Sequence, residues 1–143
     1  MRVWRDLFLE GEYMPRELLL SGLSLAEVAQ RPEGAPHTIY EELWHATKWQ
    51  TAVVEGDEAA RATLANVFAQ SPIEEPASGR EYRELVMEFL AGAKKAVELG
   101  EALEPAAGAQ MRQDLERLAV HNAYHLGKIV ALRQVIGVWP PRE

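Results

Sequence analysis

The residues of this chain best suited to chemistry are its four histidines, His37, His45, His121 and His125, because there is no cysteine to offer a thiolate. The informative pair is His121 and His125, an H-x-x-x-H in a segment of helical period. Helix residues four apart share a face, with Cβ atoms about 5–6 Å apart. Two such imidazoles can converge on one ion at roughly 2.0–2.1 Å per metal–nitrogen bond. Stepping about 100° per residue sets His121, Asn122 and His125 within the apolar stripe of Met111, Leu115, Leu118, Ile129, Leu132 and Ile136. A buried polar group without a partner costs on the order of 1–3 kcal/mol, so something must satisfy these three. A metal ion would do so, and so would a hydrogen-bonded core network. An accidental spacing with the pair partly exposed is the third reading.

His45 adds to the pair. It lies about two turns into the helix that follows Thr38, at the edge of an apolar side formed by Ile39, Leu43, Ala46 and Val53, with Trp49 and Ala52 on its own flank. If that helix neighbours the H-x-x-x-H helix, His45 can supply a third nitrogen. Three histidines leave coordination positions open, as a catalytic rather than a purely structural site requires. Glu42, one turn before His45, is read as an acceptor for a ligand N–H, an additional ligand or a general base. Its plainer reading is a solvated side chain that helps the helix N-terminus electrostatically. Asn122 is either an orienting group for the histidines or a satisfied core amide. His37 precedes the Thr38 cap and reads as a loop residue. Trp4, Trp44, Trp49 and Trp139 read as core or interface anchors. Tyr124 projects away from the histidines, onto a face that a second subunit or solvent would cover.

The elements that must position these groups are helices. Ser24-Leu25-Ala26-Glu27, Thr38-Ile39-Tyr40-Glu41 and Ser78-Gly79-Arg80-Glu81 have the form of capping boxes. In each, the hydroxyl accepts from the backbone N–H three residues on, and the glutamate reaches back to the cap. The three-and-four spacing of Trp4, Leu7, Phe8, Gly11, Met14 and Leu18 predicts a first helix over 2–21, kinked near Pro15. Gly22 is its expected stop. A short helix over 25–30, a long one from Thr38 to 55, and a shorter alanine-rich one over 58–68 follow. Residues 70–77, with Pro72 and Pro76, read as loop. Long helices over 79–102 and 109–136 complete the chain, with Gly137 and Pro140-Pro141 as a stop. No segment alternates at period two. Four long amphipathic helices predict an all-α fold, an antiparallel four-helix bundle with short extra helices in its connections.

Length and composition set the outer limits. A chain of 143 residues fits one domain, 1–143. With 48% hydrophobic and 26% charged residues it is ordinary globular material rather than disordered chain. A net charge of −7 argues against nucleic acid and anionic membrane as partners, since both select a positive footprint. Without cysteine, disulfides, thiolate metal sites and a cysteine nucleophile are excluded. Met1-Arg2-Val3-Trp4-Arg5-Asp6 lacks the apolar stretch of a signal peptide. No window approaches the roughly 18 apolar residues of a membrane span. A cytoplasmic location is the expectation.

The run His121-Asn122-Ala123-Tyr124-His125-Leu126-Gly127-Lys128-Ile129, followed by Leu132-Arg133, Gly137 and Pro140-Pro141, resembles the C-terminal signature of the DinB/YfiT-like superfamily. Gly22-Leu23-Ser24, Arg31-Pro32 and Thr38-Ile39-Tyr40-Glu41 through His45 resemble its N-terminal half, while Pro15 departs from the smooth first helix of that family. The resemblance implies a four-helix bundle, often a homodimer, that binds one divalent metal through His45, His121 and His125. Zinc and nickel lead the ions expected; iron, manganese, cobalt and copper also suit imidazole. It further implies a metal-dependent hydrolase, or a thiol-dependent S-transferase or isomerase, acting on a small molecule. With no cysteine in the chain, any thiol would be a low-molecular-weight one from solution. The competing expectation is a non-enzymatic metal-binding or stress-response protein whose ion stabilises the bundle, and a further one is a helical interaction module with vestigial histidines.

Overall fold

The computed structural model describes residues 3–70, 75, 76 and 78–142, with the backbone alone for 66–70. Every regular element among the described residues is helical. Chain order is α1 (Val3–Arg5) running into a π-helical turn (Asp6–Glu10), α2 (Arg16–Leu19), α3 (Leu25–Ala29), α4 (Ile39–Glu55), α5 (Glu58–Gln70), α6 (Gly79–Glu101) and α7 (Ala109–Val135). The loop expected over 70–77, Pro72 included, falls largely outside the described residues. Among the described residues no helix is long and apolar enough to cross a membrane.

Capping chemistry sets the helix starts. The Ser24 and Thr38 hydroxyls accept from the Glu27 and Glu41 N–H groups, and both glutamates accept from the cap N–H in return. Ser78 accepts from the Glu81 N–H at 3.3 Å. At the other end of α4, Gly56 adopts the left-handed φ of 68° that a side chain would strain.

The first segment departs from expectation. Instead of one helix kinked at Pro15, the chain forms two separate pieces, because Gly11 takes φ 68° and ψ −179°, outside any helix, and Pro15 is extended at ψ 145°. The π turn that precedes the break, closed by Gly11 N–H to Asp6 O at 2.8 Å, also shifts the buried face. Trp4 and Phe8 are buried as expected, but Leu7 is exposed, and after the break Leu19 and Leu20 enter the core in place of Leu18. Trp4 lies against the backbone of α6 at Gly100, where a Cβ would meet its ring at 2.5 Å.

Three long helices of 17, 23 and 27 residues therefore carry the core, rather than four. One apolar cluster joins Ile39 and Leu43 of α4 to Tyr82, Leu85 and Phe89 of α6 and to Leu126 and Ile129 of α7. A second joins Val53 to Ala93, Ala96 and Val97 and to Leu115 and Leu118. Reading both clusters along α4 fixes the directions: α6 runs parallel to α4, and α7 runs against both. The expected antiparallel order fails for the α4–α6 pair, because α5 lies between them in sequence and the connection through it returns the chain to the end where it began. The carbonyls of Leu19, Leu20 and Ser21, left open where α2 ends, are taken up by buried donors. Arg133 of α7 reaches Leu19 O at 2.6 Å and Ser21 O at 2.8 Å, and the Tyr82 hydroxyl reaches Leu20 O at 2.9 Å.

Candidate metal centre

Because α4 and α7 pack against each other in opposite directions, the second turn of one meets the middle of the other. His121 and His125 share a face of α7, and their Nε2 atoms stand 3.2 Å apart. His45 comes from α4, its ring centroid 5.0 Å from that of His125 and 5.4 Å from that of His121. Each of the three histidines offers a ring nitrogen within 4.8 Å of the others. His125 and His45 are buried, and His121 is half-buried at the edge of a cavity. Trp49, one turn after His45, stacks on that ring at 6.5 Å and closes the site over His121 at 5.4 Å.

Glu42 anchors this cluster from behind. It lies in the first turn of α4, where the helix N-terminus favours a negative charge, and it is only 1% exposed. Its Oε2 accepts from Nδ1–H of His125 at 2.6 Å. That bond fixes the tautomer, leaving the His125 Nε2 lone pair to face His121 and His45. Oε1 of the same carboxylate lies 3.5 Å from Lys128 Nζ and 3.6 Å from His37 Nδ1. Burial, and after it the charge of His125, pushes the His45 ring down to about 4, with Glu42 acting in the opposite sense. His121 is lowered to about 4 by burial first and by His125 and His45 after it. Both rings are neutral at neutral pH, which is the form that ligates metal.

The residues fit a divalent ion of intermediate softness. Bonds of 2.0–2.1 Å in tetrahedral array put ligand nitrogens about 3.3 Å apart, close to the 3.2 Å found between His121 and His125. Nδ1 of His121 is buried without a hydrogen-bond partner among the described residues. The three rings face a cavity of about 450 Å³ whose other walls include Trp49, Tyr124 and Lys128. A centre with three imidazole nitrogens, neighbouring open space and a buried carboxylate behind one ligand can bind a cation and leave part of it accessible.

The other sequence-predicted groups divide. Glu42 is neither solvated nor turned toward the cavity, so its general-base reading gives way to that of an acceptor holding His125. The signal was its place one turn before His45. Asn122 donates to Gln50 Oε1 at 2.8 Å, and Gln50 in turn donates to Phe89 O at 2.8 Å. It is a core amide and not an orienting group for the histidines. His37 is a loop residue beside Glu42, on the cavity wall. Tyr124 is exposed to solvent, as one of its two readings had it, but it does not project away from the histidines: its ring meets His125 edge-on at 5.2 Å and lines the same cavity. Lys128 was missed as a cavity residue, although its spacing of three from His125 places it one turn on along the same side.

Comparison with protein-family models, with curated proteins and with solved structures finds no match to this chain.

Proposed function

We propose that this chain is a DinB/YfiT-like four-helix-bundle metalloenzyme, its broken first segment standing as the fourth helix. In this reading one divalent ion sits on His45, His121 and His125, with zinc or nickel as the first candidates. The single observation that carries it is the convergence of three imidazoles, two buried and one half-buried, from two helices beside an open cavity. An ion so held would supply Lewis acidity for polarising a carbonyl, acidifying a water or holding a thiolate. The chain's own residues do the rest. Glu42 keeps a proton on Nδ1 of His125 and so leaves the lone pair of that ring on Nε2. Trp49 limits water around His45 and His121. The cavity holds a small molecule, and hydrolysis or transfer to a small soluble thiol are the two reactions compatible with this set.

Elemental analysis of protein purified without a histidine tag tests the reading. About one transition ion per chain is expected, falling by roughly 10²- to 10³-fold in affinity in His45→Ala or His125→Ala, as one ligand's share of a typical site energy suggests. Absence of stoichiometric metal after growth in metal-replete medium and after reconstitution overturns it. A screen of small thiols against electrophiles, and of simple esters and amides, then separates the two reactions.

A further inference from the structure

We infer that the cavity beside the three histidines takes a small carboxylate with an apolar body, its charge held by Lys128; this rests on the metal reading above. Lys128 follows His125 by one turn of α7, and its side chain is 32% exposed at the cavity wall. Its ammonium is steered from two sides. Glu42 Oε1 lies 3.5 Å away, and the Tyr124 ring centroid lies 4.5 Å below Nζ. An ammonium has three donors, more than the Glu42 oxygen and the Tyr124 ring, itself part of the cavity wall, take up. Nor is the Glu42 partnership exclusive, since that one carboxylate also serves His125 at 2.6 Å and stands 3.6 Å from His37.

Charge then selects the occupant. The acid nearest the histidines, Glu42, sits behind His125 and is not part of the cavity lining. A divalent ion on the three imidazoles, added to Lys128 and set against Glu42, would leave the wall with an excess of positive charge. In a concave site partly walled by Trp49, such an excess attracts an anion more strongly than an isolated surface charge would. Lys128 is the one ammonium among the described lining residues, which include no guanidinium. A lone ammonium suits a carboxylate better than a phosphate dianion, which is typically met by several donors. Trp49, Tyr124 and Ala65 offer the remaining surface to the apolar part of the ligand. The cavity's 450 Å³ falls within the usual range for small-molecule sites, about 300–1,000 Å³.

The probes are benzoate, its neutral isostere benzamide, and inorganic phosphate, titrated calorimetrically into the zinc-loaded chain. Benzoate is expected to bind about tenfold or more tightly than benzamide, as one charge-assisted contact allows, and more tightly than phosphate. Lys128→Gln is expected to abolish the preference for benzoate while leaving zinc stoichiometry, melting temperature and benzamide binding unchanged, and Lys128→Arg to restore it. Zinc binding with no benzoate preference, a preference that survives Lys128→Gln, or tighter binding of phosphate than of benzoate overturns the role of Lys128 and leaves the metal reading standing. Failure of the wild-type chain to bind zinc overturns the metal reading and this inference with it.

Discussion

Helix α7 breaks its own apolar stripe twice, and the two breaks are resolved differently. Near its C-terminal end Arg133 is only 1% exposed, yet its donors reach the carbonyls of Leu19, Ser21 and Val138 at 2.6–3.1 Å. Those acceptors are backbone groups that the ends of α2 and α7 would otherwise leave open, so cation and carbonyls satisfy each other within the chain. Two turns earlier His121 and His125 meet a third ring and a carboxylate, and the rings border a cavity. A buried polar group closed by the chain is architecture. Converging ring nitrogens that border open space are a place for something else.

Acid is expected to break this comparison most strongly. The rings of His45 and His121, held down to about 4 against 6.5 in the unfolded chain, keep their full stability contribution above pH 6.5. As pH falls from 6.5 toward 4 the unfolded chain takes up protons that the folded one refuses, so stability drops across that window. For the metal-free protein the loss from both rings is on the order of 4 kcal/mol, allowing for solvent screening at the half-open His121. Melting temperature followed against pH measures it, and His121→Gln should flatten the slope. A slope unchanged in that variant would show that the rings do not resist protonation. Arg133 keeps its charge throughout and adds nothing to this window.

Arg133→Met strikes the closed break instead. Leaving the Leu19, Ser21 and Val138 carbonyls buried and unmet is expected to cost about 3 kcal/mol in denaturant unfolding, with metal stoichiometry unchanged. A loss of metal in the folded variant would join the two breaks into one unit. Glu42→Gln strikes the open one: it weakens the hold on His125 and is expected to lower metal affinity about 10- to 100-fold, or about 1.4–2.7 kcal/mol. Unaltered affinity would free His125 from dependence on that carboxylate. The smallest effect belongs to Thr38→Ala. It removes a cap at the end of α4 that carries Glu42, for about 1 kcal/mol of stability and a smaller change in metal affinity than Glu42→Gln. A larger change would place the frayed turn, rather than the carboxylate alone, in control of His125.

Much of this was legible in the chain because it is local chemistry. A hydroxyl and a glutamate three residues apart start a helix wherever they occur, so the starts of α3 and α4 followed from Ser24 and Thr38. Period alone placed His121, Asn122 and His125 on the buried side of α7. The break at Gly11 was not legible, since glycine is tolerated within a helix and only the observed φ reveals the turn. Which polar residue joins which site was equally hidden. Asn122 and His125 share a stripe, but one meets Gln50 and the other Glu42, and that depends on the rotation of α4 against α7.

The residue order by itself settled an all-helical chain, the ends of its long helices and the shared face of the H-x-x-x-H pair, because hydrogen bonds and periodicity act over a few residues. Only the tertiary structure decided that α6 runs parallel to α4, that Arg133 seals the end of α2, and that His45 and Glu42 arrive at His125 from some 80 residues away. Contacts across such separations are set by the mutual packing of whole helix faces, and no short stretch of chain contains them.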